Sequence, residues 1–458
     1  MAGIGFELKK LLKDKSWFGL VKTYAYAGAL SSGPWVFSII GILLVGIIGV
    51  TFKQSSGFWV NEYLVSITWL MSLSLILSSL FQLVFTRFMA DQIYLQREHI
   101  ILPNFLSVLV LSTFINGSIG AVLWLLFFRE QDFVYSFLMF VNFVLLCNVW
   151  LVVIFIAGMR RYKTILVVFF IAYASIVVLS LIFSSFGIRG FLFSFLLGHA
   201  VLFLSLFVLI IQEFDADELF RFEFFQRENL FLILIPTGVF FNLGIWADKW
   251  IFWFAPSTSD SVNGVLRSSI IYDMPIFLAY ISIIPGMASF LLRIETDFVD
   301  KYKSYYSEVN GNGNLSEINH KRSEMIKSIY NAYLEIIKLQ GVTLLFFILL
   351  AKKIFAWLDL SPLYLNIYYL DLFSTAILVL YLATLNLFFY FNLLKQAFWL
   401  TLGLFVLNVV FSVSSLFLGA SFYGYGFALA LVITTLIGMY TLSDKINRLE
   451  YLTFMLQR

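Results

Sequence analysis

Charged side chains inside apolar runs are the residues of this chain best placed to do chemistry. Asp248 and Lys249 lie in "NLGIWADKWIFW" (Asn242–Trp253), Asp273 lies in the next run, and Asp371 opens a later one. An ion placed in hydrocarbon costs several kcal/mol, so such groups pair with one another or face water. From the helical rise, Asp248 lies about 9 Å and Asp273 about 10 Å from the middle of its span, toward the same side of the bilayer. Adjacent antiparallel spans would then bring Asp248, Lys249 and Asp273 to one level. Three readings stay open: an outer gate or substrate contact, a salt bridge locking two helices, and charges at the membrane interface. Asn242, Trp246 and Trp35 extend the set, because rings beside amide groups suit a glycan path. Trp246 can equally be an interfacial anchor.

A second feature is "AYAGALSSGPWVFSIIGILLVG" (Ala25–Gly46), an uncharged run interrupted by Ser31, Ser32, Gly33 and Pro34. Proline removes a backbone donor and clashes with the preceding turn. Such a break is tolerable where the freed carbonyls face water or protein. It predicts a hinge at Gly33–Pro34 beside an aqueous cavity, or a proline kink packed against neighbouring helices.

Other chemistry lacks its residues. No Gly-Lys dipeptide occurs, so no P-loop forms. His99, His199 and His320 are scattered and build neither a metal site nor a triad. Cys147 is the only cysteine, so no intrachain disulfide is possible. The "DAD" at Asp215–Asp217 reads as a solvated acidic loop. No metal, cofactor or enzymatic activity is expected. The net charge of +3 and the lack of a basic run give no reason to expect nucleic acid as a partner.

These residues need helices to carry them. Of 458 residues, 61% are hydrophobic and 12% charged, which is the balance of an all-α polytopic membrane protein. The length rule gives about twelve spans: 25–52, 62–86, 101–128, 133–158, 164–186, 190–212, 230–254, 269–292, 339–358, 367–392, 396–419 and 423–442. Lys and Arg crowd one set of connections, including Lys9, Lys10, Lys13, Arg160, Arg161 and most of 293–338. The other set holds only Lys53, Arg129, Arg189, Arg267, Lys352 and Lys353. The bias puts both termini in the cytoplasm.

The division expected is an amphipathic surface helix at 1–22, an N-terminal lobe at 23–212, a linker at 213–229, a C-terminal lobe at 230–442 and a tail at 443–458. The echo of "GPWVFSIIGI" in "PTGVFFNLGIW" favours this six-and-six split. The C-terminal lobe includes a cytoplasmic loop, 293–338, with a helix from about Ser316 and an apolar stripe at Met325, Ile326, Ile329, Tyr330, Tyr333 and Ile337. The surface helix and this one either anchor on membrane lipid or dock a cytoplasmic partner through Lys9, Lys10, Lys13, Lys321 and Arg322.

The opening residues "MAGIGFELKKLL" and "TYAYAGALSSGPWVFSIIGILLVG" resemble the PelG family, inner-membrane transporters of the Pel exopolysaccharide system. "NLGIWADKWIFW" and "YDMPIFLAYISIIPGMASFLLRIETDF" (Tyr272–Phe298) resemble the same family. The resemblance implies a flippase-like fold, two six-helix lobes around a central cavity, in a bacterial inner membrane. It implies as substrate a polymer of N-acetylated amino sugars, important to biofilm. It implies three partners: a PelF-like cytoplasmic glycosyltransferase, a PelD-like cyclic diguanylate receptor and a PelE-like membrane protein. Other functions compatible with the residues are flipping a lipid-linked glycan, exporting a small molecule, or anchoring a synthase without transport. Energy would come from polymerisation or an ion gradient.

Overall fold

The computed structural model describes residues 16, 19, 22–29, 41, 44–45, 57–157, 161–226, 230–311 and 313–451. The expected hinge (Ser31, Ser32, Gly33, Pro34), Trp35, and Lys9, Lys10 and Lys13 lie outside them. Among the described residues, ten helices are long and apolar enough to cross a membrane. The chain divides into two compact units, one of 34–270 and one of 1–33 with 271–458. The cut does not fall at the 213–229 linker expected from the sequence, and the chain passes between the units at 33–34 and 270–271.

In the 34–270 unit, helix α1 (Gly57–Tyr94) is the hub. Around it stand α2 (Ile101–Phe127), α3 (Phe133–Val153), α4 (Tyr162–Ile182), α5 (Ile188–Glu213) and α6 (Leu234–Phe254), and α1 packs directly on α2, α3, α5 and α6. Buried Ser66, Ser72, Ser74, Ser78 and Ser79 each return their hydroxyl to a carbonyl three or four residues earlier on α1. Small hydroxyls satisfied this way let other helices approach closely in lipid. Trp150 of α3 donates to Ser74 Oγ at 3.0 Å. Gly238 of α6 faces Ser79, where a Cβ would meet the Ser79 carbonyl at 2.9 Å.

The 213–229 segment is tied to α2. The Arg221 N–H reaches the Pro103 carbonyl at 3.3 Å and Ser107 Oγ at 3.1 Å, and the Phe224 N–H reaches Asn104 Oδ1 at 3.2 Å. Hydrogen bonding from the Arg221 guanidinium holds the Glu218 carboxyl below the usual carboxylate range. After α6, strands β1 (Asp260–Asn263) and β2 (Leu266–Ser268) form an antiparallel hairpin that turns at Gly264, where φ is 57°.

The other unit holds α7 (Ile270–Tyr280), α8 (Ile283–Leu292), a π-helical turn (Arg293–Phe298), α9 (Val299–Asn310), α10 (Leu315–Trp357), α11 (Leu365–Tyr390), α12 (Leu394–Leu418) and α13 (Tyr425–Asn447). Two features differ from the sequence reading. The 316–338 helix does not lie apart on the surface: it runs unbroken into the following span as one 43-residue helix, begun by a capping box of Asn314 and Glu317. Half of its stripe is core, with Met325, Ile329 and Tyr333 buried, Ile326 partly buried, and Tyr330 and Ile337 exposed. Straps to α9 and the chain's end, Lys301–Glu324 at 3.1 Å and Arg322–Glu450 at 2.7 Å, hold it. Lys321 also reaches Glu324, at 3.6 Å.

The second difference is a break in the expected 269–292 span, between Tyr280 and Ile283. Pro285 lacks the N–H that would continue the helix. The Ser282 carbonyl, at the N-cap of α8, accepts from Gln340 Nε2 of α10 at 3.0 Å, and Ser282 Oγ pairs with Thr375 Oγ1 of α11 at 3.0 Å. Gly286 makes room, since a Cβ there would lie 2.4 Å from Gln340 Oε1. An interhelical hydrogen bond of this kind contributes about 0.5–1.5 kcal/mol net. Gln340→Leu should therefore lower the melting temperature of the purified protein, and Gly286→Val, which forces Gln340 out and overpacks Val379, should lower it further. Thermal unfolding monitored by tryptophan fluorescence checks this order.

Candidate functional site

Helix α6 carries its polar groups on a recurring local device. Thr237 donates to the Ile233 carbonyl at 2.6 Å, Asn242 to Gly238 at 3.2 Å, and Lys249 Nζ to Ile245 at 2.8 Å. Each bond spans four residues, so a polar side chain returns its donor to its own helix when lipid offers no acceptor. Lys249 Nζ also lies 3.1 Å from Asp248 Oδ2, and the two side chains are 1% and 0% exposed. The Lys249 ammonium stands 5.9 Å from the centre of the Trp246 ring, within cation–π range.

Aromatic rings close the site. Trp69 of α1 stacks with Trp250 at 6.2 Å and meets Trp253 at 4.9 Å. Trp69 Nε1 donates to the Arg267 carbonyl at 2.9 Å, while the Arg267 guanidinium grips Ser259 and the Trp253 carbonyl. The hairpin is thereby fastened over the end of α6.

The structure thus brings together Asp248, Lys249 and Trp246, with Asn242 two turns earlier on the same helix. It forms the ion pair between consecutive residues of one helix, so that bond by itself does not tie two helices together. Asp273 belongs to the other unit, where it sits in the first turn of α7; the backbone N–H groups there favour an anion. Asp371 is fully buried on α11. The sequence reading does not single out Glu62, Gln340 or the Trp69–Trp250–Trp253 cluster. "SIIPGM" (Ser282–Met287) pairs proline with glycine as the first apolar run does and is the sequence sign of the break between Tyr280 and Ile283.

The whole chain has relatives. The family model PelG, described as "Putative exopolysaccharide Exporter (EPS-E)", matches residues 1–454. The chain belongs to the PelG family. Among solved structures, this PelG-family chain is similar to a multidrug resistance MATE family transporter of the MOP superfamily in an outward-facing conformation. The TM-score is 0.63 at 14% identity, covering 93% of this chain and 96% of that one. It is similar to a MOP superfamily transporter from Pyrococcus furiosus Vc1, with TM-score 0.63 at 13% identity over 93% and 96%. It is also similar to MATE in a bent conformation, with TM-score 0.62 at 12% identity over 98% of each chain. These likenesses give the fold, a flippase-like bundle of the MATE type. No match was found among curated proteins. Family and fold are those of multi-pass membrane transporters, not of enzymes.

Removing one partner of a buried ion pair strands the other, at about 3–5 kcal/mol, whereas removing both avoids most of that cost. Lys249→Met should therefore destabilise the protein more than the double variant Asp248→Asn with Lys249→Met. Melting temperatures in detergent check the order, and equal losses would show that Asp248 is held by other groups.

Proposed function

We propose that this chain carries the Pel exopolysaccharide, a polymer of N-acetylated amino sugars, across the bacterial inner membrane as a cytoplasmic glycosyltransferase extends it. The observation that carries the reading is the match to an exopolysaccharide-exporter family over nearly the whole length, 1–454. The chemistry of the membrane segments supports a largely neutral cargo, because the ionic pair on α6 is already internally matched. Both termini would lie in the cytoplasm, on the Lys- and Arg-rich side. The α9–α10 hairpin, with Lys321 and Arg322 near its tip, and the N-terminal segment with Lys9, Lys10 and Lys13 would receive the PelF-like synthase and its PelD-like and PelE-like companions.

In this reading Asp248 and Lys249, with Trp246 and Asn242, line or gate the path, and Ser31, Ser32, Gly33 and Pro34 form its hinge. The hinge draws support from connectivity: one of the two passages of the chain between its compact units falls at Gly33–Pro34. Fold relatives are described in bent and in straight conformations.

The decisive experiment is polymer transport by the purified chain in liposomes, with and without its synthase. Translocation that needs this chain supports the reading; translocation by the synthase alone would reduce the chain to an anchor. In cells, the double variant Gly33→Ala with Pro34→Ala should lower secretion at normal protein level, as hinge substitutions far from the chemistry do. Unchanged secretion, measured by polymer immunoblot beside protein abundance, would remove the hinge.

A further inference from the structure

The 34–270 unit carries a second, unassigned feature: a cavity of about 880 Å³ where α1, α3 and α5 begin and the β1–β2 hairpin folds over. Its lining residues all belong to that unit. At its floor is Glu62, only 5% exposed. Glu62 Oε1 accepts a hydrogen bond from Asn263 Nδ2 of the hairpin, whereas Oε2 has no hydrogen-bond partner among the described residues. The neighbouring Tyr135 hydroxyl is taken by Ser66 Oγ at 2.8 Å.

The rim and walls narrow the ligand. Asp132 and Arg189 pair at 2.8 Å and neutralise each other, so among the described residues Glu62 is the carboxyl group of the lining without a matching cation. That disfavours phosphates and other anions. A single carboxyl floor is too few ligands for a divalent cation, and a floor of acid and amide is wrong for an acyl chain. The walls present Trp59 and Phe186, 40% and 67% exposed. Aromatic faces accept the C–H face of a sugar and attract a nearby cation.

We propose that this cavity binds a sugar unit bearing a free, protonated amine, its ammonium donating to Glu62 Oε2 and its ring lying on Trp59 or Phe186. Asn263 and Gln131 are the amides in reach of the ring hydroxyls. The loop charge bias puts this end of the bundle on the periplasmic side, so the site would hold polymer that has already crossed, at units whose nitrogen carries no acetyl group; this part rests on the export reading above.

The test uses the full chain in lipid nanodiscs and isothermal titration with three tetramers, of glucosamine, of N-acetylglucosamine and of glucose. The glucosamine tetramer should bind at least about tenfold more tightly than the other two, a margin expected of one charge-assisted hydrogen bond. Glu62→Gln should erase that margin. Equal affinity for the three tetramers, or an unchanged margin in Glu62→Gln, overturns the proposal. If Glu62→Gln does not fold, the double variant Trp59→Ala with Phe186→Ala at the walls decides: weaker binding of the glucosamine tetramer supports the site and unchanged binding overturns it. Binding without polymer transport in liposomes would support this site while removing the export reading; transport without such binding would do the reverse.

Discussion

Hydrocarbon offers no water to an open peptide group, and the structure is arranged around that constraint. Its clearest expression is the hydrogen bond from Gln340 to the Ser282 carbonyl. The span that breaks ahead of Pro285 is tied at that break to a second helix, and Thr375 of a third joins at the Ser282 hydroxyl. Helices α7, α8, α10 and α11 are thereby joined at one buried locus. The same constraint explains the serines of α1 and the back-bonded Thr237, Asn242 and Lys249 of α6. Each of these polar groups, placed at depth by the sequence, is answered within its own helix or by one neighbour.

Polarity inside this transporter is therefore specific and sparse. Lys249 has a carbonyl, a carboxylate and an indole of its own helix around it. Cation and anion here stand next to each other on one helix. Such sparse polarity agrees with a family of exopolysaccharide exporters built on a fold shared with MATE-type transporters.

The spans are legible in the sequence because apolar length is a strong signal, and α2 through α5 lie close to where hydropathy puts them. The pairing of Asp248 with Lys249 is legible as a necessity, although not as a bond within one helix, since depth alone points to a partner on the next span. The unbroken α10 is hidden by Lys327, Glu335 and Lys338, whose charges end a hydropathy window but not a helix. Gln340 is illegible because amides carry no sign of what they will bond. Glu62 escapes notice because it falls at a span boundary, where acids are usually solvated. The division at 33–34 and 270–271 depends on long-range packing that no local pattern encodes.

The 43-residue α10 has a mechanical consequence. At the usual helical rise it is about 65 Å long, roughly twice the thickness of a bilayer core of about 30 Å. Gln340 sits partway along it, and an ion pair to α9 stiffens the stretch ahead of that point. The helix is a lever, and one of its contacts is the very bond that caps the break at Ser282. Torque applied to its N-terminal end reaches that break through continuous helix, so the α9–α10 hairpin and the discontinuous span behave as one moving part.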